Sequence, residues 1–197
     1  EAAGVDYDKR GIKVDARLRT SNKKVFAIGD VVGSHQFTHV AGYHAGIVLR
    51  NVLFRLPAKV DYSAMPWVTY TDPEIAHVGM TEKQAREAHG DIRVLRHTFA
   101  ENDRAQAERD TDGFAKIVTT AKGVMVGASI VGPHAGELIQ PYILPIQKKM
   151  KIGAVAGLII PYPTLGEVNK RAAGSFYTSK LFSEKTKKIV RFLLKLG

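Results

Sequence analysis

Pro161-Tyr162-Pro163-Thr164-Leu165-Gly166-Glu167 is the stretch on which the reading of the chain turns. Two prolines bracket one tyrosine, fix the backbone φ and remove two amide donors. Thr164 and Glu167 follow at the T-x-x-E spacing of a capping box, which predicts a helix starting at Thr164 and running to about Tyr177. Alone, the pattern is a helix entry. Together with residues elsewhere, it describes a rigid arm that holds Tyr162 and Glu167 toward a site.

Upstream of the arm, Ile152 to Ile160 is short and apolar, and is expected to be a buried helical turn. Before it, a helix is expected from about Glu137 to Lys149, interrupted by Pro141 and Pro145. Phe114–Thr119 and Val124–Val131 read as a hairpin around Ala121-Lys122-Gly123. Glu101 to Asp112 is a polar connection, and Ile92 to Phe99 alternates like a strand. Thr81 opens a short helix that Gly90 stops. Trp67–Thr71 and Ile75–Gly79 are strands on either side of an Asp72-Pro73 turn.

The amino-terminal part has a different grain. Ile12-Lys13-Val14 alternates like a short strand. Val25-Phe26-Ala27-Ile28 is four apolar residues without alternation, as in a strand buried on both faces of a parallel sheet, and it ends in Gly29-Asp30. Ligands of such sheets bind at the carboxyl ends of strands. Gly29 lets the backbone approach a ligand, and the Asp30 carboxylate is suited to accept hydrogen bonds from sugar or ribityl hydroxyls. A turn with a capping aspartate fits the same residues. Thr38 to Leu53 reads as one helix with Thr38 as its cap and Val40, Ala41, His44, Val48 and Val52 on one face. Its N-terminus would favour an anion or developing negative charge. His39 and His44, taken alone, read as packing or hydrogen-bonding residues. Leu56 to Tyr62 marks a boundary before the strands begin.

Composition bounds the function. The chain has 197 residues and 45% hydrophobic content, as in an ordinary globular protein of one domain or two small ones. No apolar run reaches the ~18 residues of a membrane span, and no signal-peptide pattern is present. A cytoplasmic setting is the expectation. The absence of cysteine excludes disulfides, thiolate metal sites and a cysteine nucleophile in this chain, and no metal site is expected. The net charge of +10 is uneven: from Lys170 onward there are eight Lys/Arg and one acid, Glu184. No aromatic-interleaved basic platform is visible, so nucleic acid is not expected as a partner. The final segment, 180–197, reads as a basic amphipathic helix with Ser183 as cap and Phe182, Ile189, Leu193 and Leu196 as its stripe. A membrane surface is one use for it. Docking on the protein's own body or a partner is preferred, since the stripe is no wider than a surface helix needs.

Singly these motifs occur in many folds. Their order is more specific: T-S-x-x-x-V-F-A-I-G-D, a T-H-x-A helix, T-D-P-E-I-A-x-V-G-M-T-E, a G-x-x-K-I-V hairpin, G-E-L-I, and P-T-L-G-E before a helix. From about residue 4 to 178 the chain resembles the carboxyl-terminal part of the flavin-dependent pyridine nucleotide–disulfide oxidoreductases, a family that includes dihydrolipoamide dehydrogenase, glutathione reductase and mercuric reductase. The resemblance implies an α+β fold. Residues 1–54 would hold the last strand and helix of an FAD-binding α/β domain. Residues 62–177 would be an interface (dimerisation) domain with an antiparallel sheet flanked by helices, and 178–197 a basic amphipathic extension. It also implies FAD as cofactor, NAD(P)H as cosubstrate, a homodimer, and a disulfide, metal ion or other small molecule as electron acceptor. Asp30 would bind the ribityl chain with Gly29 giving room, and Thr38 and His39 would lie near the flavin ring.

In many members the closing motif is His-Pro-Thr with a glutamate three residues on; the histidine, from the other subunit, is the general acid/base that the glutamate orients. Tyr162 stands at the histidine position here and Glu167 at that of the glutamate. An ordinary phenol has a pKa of about 10 against about 6.5 for imidazole, so Tyr162 cannot shuttle protons near neutrality in the same way. The chain has no G-x-G-x-x-G, redox cysteine pair or nicotinamide domain. The family carries these upstream, so the chain is expected to be an inactive fragment of an oxidoreductase. The apolar hairpin and the Gly136–Ile160 region are expected to need a partner face. The rival reading is a non-catalytic dimerisation module with a membrane- or nucleic-acid-binding tail.

Overall fold

The computed structural model describes residues 2–196, in two compact units, 1–62 and 63–197. In the first unit, β1 (Tyr7–Asp8) and β2 (Gly11–Ile12) form a small antiparallel ladder. The backbone of β2 lies against the turn at Gly33: a Cβ there would run into the Arg10 carbonyl, and Gly33 has φ +73°. Only glycine tolerates both the approach and that φ. Val25–Ile28 departs from the expected buried strand. Phe26 makes a single antiparallel bridge to Arg19, and Ile28 is 40% exposed. A 3-10 turn, Gly29–Val32, follows it.

The helix α1 (Thr38–Val52) is present, with Phe37 rather than Thr38 at the cap position and no side-chain cap bond. Its buried face is Val40, His44 and Ile47, while Val52 is exposed, so the inward stripe drifts from the expected one at its C-terminal end. Ile47 packs with Leu18 and Ala58 in the core of this unit.

The second unit is a five-stranded antiparallel sheet with helices on both faces, as the fold class expected. The chain forms β3 (Pro66–Thr69), β4 (Glu74–Gly79), α2 (Glu82–His89), β5 (Ile92–Thr98), α3 (Asp103–Glu108), β6 (Phe114–Thr120) and β7 (Met125–Gly132). The strand order is β3-β4-β7-β6-β5. α2 has its expected cap at Thr81, which forms a full capping box: Thr81 accepts from the Gln84 amide, and the Gln84 side chain accepts from the Thr81 amide. α3 occupies the segment expected to be a plain polar connection. Asn102 caps it, accepting from the Ala105 amide at 3.0 Å.

One sheet face carries Ala76, Val78, Leu95, Ala115, Ile117, Ala128 and Ile130 into the main core. The other carries Ile92, Val94 and Val118 against Ala85 of α2. A register shift pairs Val118 with Gly127 and Thr119 with Met125, leaving Val126 as the bulge residue; it packs with the α2 side. Most residues of the hairpin β6–β7 are buried within this one chain.

The expected helix over Glu137–Lys149 breaks into α4 (Ala135–Leu138), a 3-10 turn at Gln140–Tyr142 with Pro141 in its first turn, and α5 (Ile143–Gln147). Proline removes a ladder donor at each interruption. α6 (Gly153–Ala156) is the only helical part of Ile152–Ile160; Ile152 and Val155 are buried, but Leu158 and Ile159 are exposed. α7 (Glu167–Leu181) buries Val168, Asn169, Ala172 and Ala173, and the two alanines let it lie close on the core. It ends four residues beyond the expected Tyr177. The capping box at Thr164 does not form: the Thr164 hydroxyl donates to the Pro161 carbonyl at 2.8 Å, and Gly166 holds the cap position. α8 (Glu184–Leu193) is capped by Ser183 as expected, but no residue of it is buried, so it does not dock on the body. No helix among the described residues is long and apolar enough to cross a membrane.

Candidate functional site

The residues singled out from sequence fall into two sets, one in each unit. In the first unit, Gly29 has φ +69°, and the space a Cβ would take is met by the Ala41 side chain at 3.1 Å. This lets the Gly29–Val32 turn sit directly on α1. The Gly29 amide donates to His44 Nδ1 at 3.0 Å, and His44 Nε2 lies 2.6 Å from the Tyr62 hydroxyl. An amide can only donate, so Nδ1 presents its lone pair and the ring proton sits on Nε2, which donates to Tyr62. Burial, reinforced by nearby His35, lowers the His44 pKa and keeps this neutral tautomer. His44 is therefore the buried strut under Gly29.

The strut leaves Asp30 outside. Its carboxylate is exposed and has no hydrogen bond or ion pair among the described residues. Thr38 and His39 form the exposed first turn of the fifteen-residue α1, and His39 stacks on Phe37 at 5.1 Å between ring centres. An open carboxylate and a helix N-terminus fit part of a cofactor that carries hydroxyl groups and an electron-rich ring. A separate groove of 580 Å³ in this unit is lined by Gly11, Val14, Leu18, Ser34, Val60 and Tyr62, and neither Asp30 nor Thr38 borders it.

In the second unit the arm is held from the side by the loop before α3. Tyr162 is 68% exposed, yet its hydroxyl donates to Asp103 Oδ2 at 2.9 Å. The hydrogen bond to Asp103, its charge and then that of Glu167 raise the phenol pKa, while Arg171 opposes them. The hydroxyl stays protonated, so it offers a fixed hydrogen-bonding oxygen rather than a base. Glu167 stands in the first turn of α7, where the helix dipole favours a carboxylate. Buried Asn102 joins the two segments: while its Oδ1 caps α3, its Nδ2 donates to the Thr164 carbonyl at 3.1 Å. Neither Asp103 nor Asn102 was singled out from sequence. The available signal was Asn102-Asp103 at the head of an alanine-containing polar run, the mark of a helix cap.

Comparison with known proteins gives matches along most of the chain. The family pattern "Pyridine nucleotide-disulphide oxidoreductase, dimerisation domain" matches residues 65–173, and "Pyridine nucleotide-disulphide oxidoreductase" matches residues 1–45. A dihydrolipoyl dehydrogenase of Geobacillus stearothermophilus is 41% identical over 175 residues, which is 88% of this chain and 37% of that protein. A mercuric reductase of Bacillus cereus is 36% identical over 177 residues, 89% of this chain and 28% of that protein. The chain thus spans well under half the length of these relatives. Among solved structures, the HOCl-induced flavoprotein disulfide reductase RclA from Escherichia coli superposes with a TM-score of 0.81 at 28% identity, over 87% of this chain and 40% of that one. The rival reading of a non-catalytic module is not favoured by these matches.

Proposed function

Because this chain belongs to the pyridine nucleotide-disulphide oxidoreductase family, we propose that it serves as the carboxyl-terminal part of an FAD-dependent NAD(P)H oxidoreductase. Residues 1–54 belong to the FAD-binding domain, 62–177 to the interface domain, and 178–197 form a separate basic extension. FAD, when bound, carries electrons from NAD(P)H to the acceptor. Asp30 accepts hydrogen bonds from the ribityl hydroxyls, and Gly29, braced by His44, sets the path of the backbone there. The first turn of α1, at Thr38 and His39, favours negative charge on the ring system. A cytoplasmic setting goes with this reading.

The observation that carries it is the run into the arm. Ile159 is 99% exposed, beside exposed Leu158, immediately before Pro161 and Tyr162. Two large aliphatic side chains left in water on a dimerisation-domain fold call for a second copy. The arm then offers Tyr162 and Glu167 to the partner's site, with Asp103 and Asn102 as positioning residues. With its proton engaged by Asp103, Tyr162 turns only a neutral oxygen lone pair toward the acceptor, which suits a metal ion or a hydrogen-bond-donating small molecule better than a thiol that must be deprotonated near neutrality. Disulfide chemistry needs a different proton carrier.

The full-length parent protein tests the reading. It should carry flavin absorbance that NADH or NADPH bleaches anaerobically, and a screen of disulfides, metal ions and small-molecule oxidants should find the acceptor that restores it. A full-length protein that neither binds flavin nor oxidises either nucleotide sinks the proposal.

A further inference from the structure

We propose that the segment from Lys180 to Leu196 is an interfacial anchor that rests on a bilayer surface rich in anionic lipid. The segment lies beyond the family match, which ends at Ala173. Within α8, Ile189, Val190 and Leu193 project to one side, and Lys187, Lys188 and Arg191 to the other, as 3.6 residues per turn requires. The flanking Leu181 and Phe182, and Phe192, Leu194 and Leu196, are exposed too. Among the described residues none of these side chains is buried.

Charge decides what covers them. The segment has six cations and one acid, Glu184, which is paired to Lys187 at 2.7 Å. A second copy of the helix could cover the apolar side but would leave the cations without a counter-charge. A nucleic acid would take the cations but leave the apolar side in water. An anionic bilayer satisfies both: the aliphatic side chains enter the acyl boundary while the lysine and arginine stems reach back to lipid phosphates. The apolar side holds no acid or amide for directional recognition, which also favours a fluid surface over a shaped protein groove.

The test uses the 197-residue chain and sedimentation with vesicles, either phosphatidylcholine alone or phosphatidylcholine and phosphatidylglycerol in equal parts. Binding is expected to the mixed vesicles, to fall with added salt, and to be weak with phosphatidylcholine alone. Lys188→Gln with Arg191→Gln should lower the partition coefficient about 25-fold, from roughly fivefold per cation. Ile189→Ser with Leu193→Ser should abolish binding. All four positions are exposed, so thermal unfolding of the variants should match the parent and exclude misfolding as the cause. Equal binding to both vesicle types, or full binding by the Ile189→Ser/Leu193→Ser variant, overturns the proposal. So does failure to bind vesicles, whether the chain instead retains duplex DNA, captures an acidic protein, or forms oligomers that the serine variant dissolves.

Discussion

The Tyr162 hydroxyl donates to Asp103 Oδ2 at 2.9 Å across 59 residues of sequence, tying the proline-flanked arm to the first turn of α3. The carboxylate does more than anchor the ring. It holds the phenol in its neutral form, since an ionised oxygen would face the Asp103 charge directly.

Asp103→Asn should therefore lower the Tyr162 pKa toward the ordinary tyrosine value of about 10. Ultraviolet titration of tyrosinate absorbance, with Tyr162→Phe subtracted to isolate the one ring, reads the change. An unchanged titration would show that Asp103 does not govern the phenol.

Asn102→Ala removes a helix cap and leaves the Thr164 carbonyl without its donor. The cap contributes about 1 kcal/mol and the second bond a similar amount, so the loss should be about 2 kcal/mol. That is roughly 4–8 °C in melting temperature for a chain of this size. Asn102→Asp keeps the acceptor for the Ala105 amide but not the donor to Thr164. It should melt closer to the parent while increasing proteolysis around residues 161–166.

Acid should loosen the first unit at Gly29. The native pKa of His44 is lowered, so the native state binds fewer protons there than the unfolded chain. Its stabilising contribution is present above the ordinary histidine pKa of about 6.5 and is lost as pH falls through the lowered native value. Protonated Nδ1 can no longer accept from the Gly29 amide. Exchange of that amide, corrected for the intrinsic pH dependence, should speed up as the pH falls through the lowered native value. Protection that stays constant with acid until the unit itself unfolds would contradict the assignment.

Ile159→Asp should split the expected dimer. An apolar anchor at the centre of an interface is worth 2 kcal/mol or more, so the dissociation constant should rise about 30-fold or beyond. Sedimentation velocity distinguishes this from a chain that is monomeric from the start, which would remove the basis of the arm's delivery to a partner site.

How far the sequence could be read depended on the range of each interaction. Thr81 and Gly90 define α2 within ten residues, and the cap forms as expected. Thr164 and Glu167 have the capping-box spacing, but the Thr164 hydroxyl is bonded to the Pro161 carbonyl and the helix starts at Glu167. The two expected threonine caps diverged because a proline-bounded entry redirected one hydroxyl. Val25–Ile28 has strand composition, but a strand needs a neighbour, and its one bridge is to Arg19. Asp103 was invisible because its partner is far away in sequence, and no local spacing announces a contact of that kind. The family resemblance reached further than any single motif, since order along the chain carries information about topology that composition does not.

Asn102 has a practical consequence for anyone who would rebuild this chain. One carboxamide serves two clients, so the arm cannot be transplanted as a cassette. Grafting a histidine-bearing version of residues 161–167 would leave the new motif hanging from a loop tailored to a tyrosine. The graft has to bring the 102–108 helix with it, and the two pieces should be treated as one inherited module.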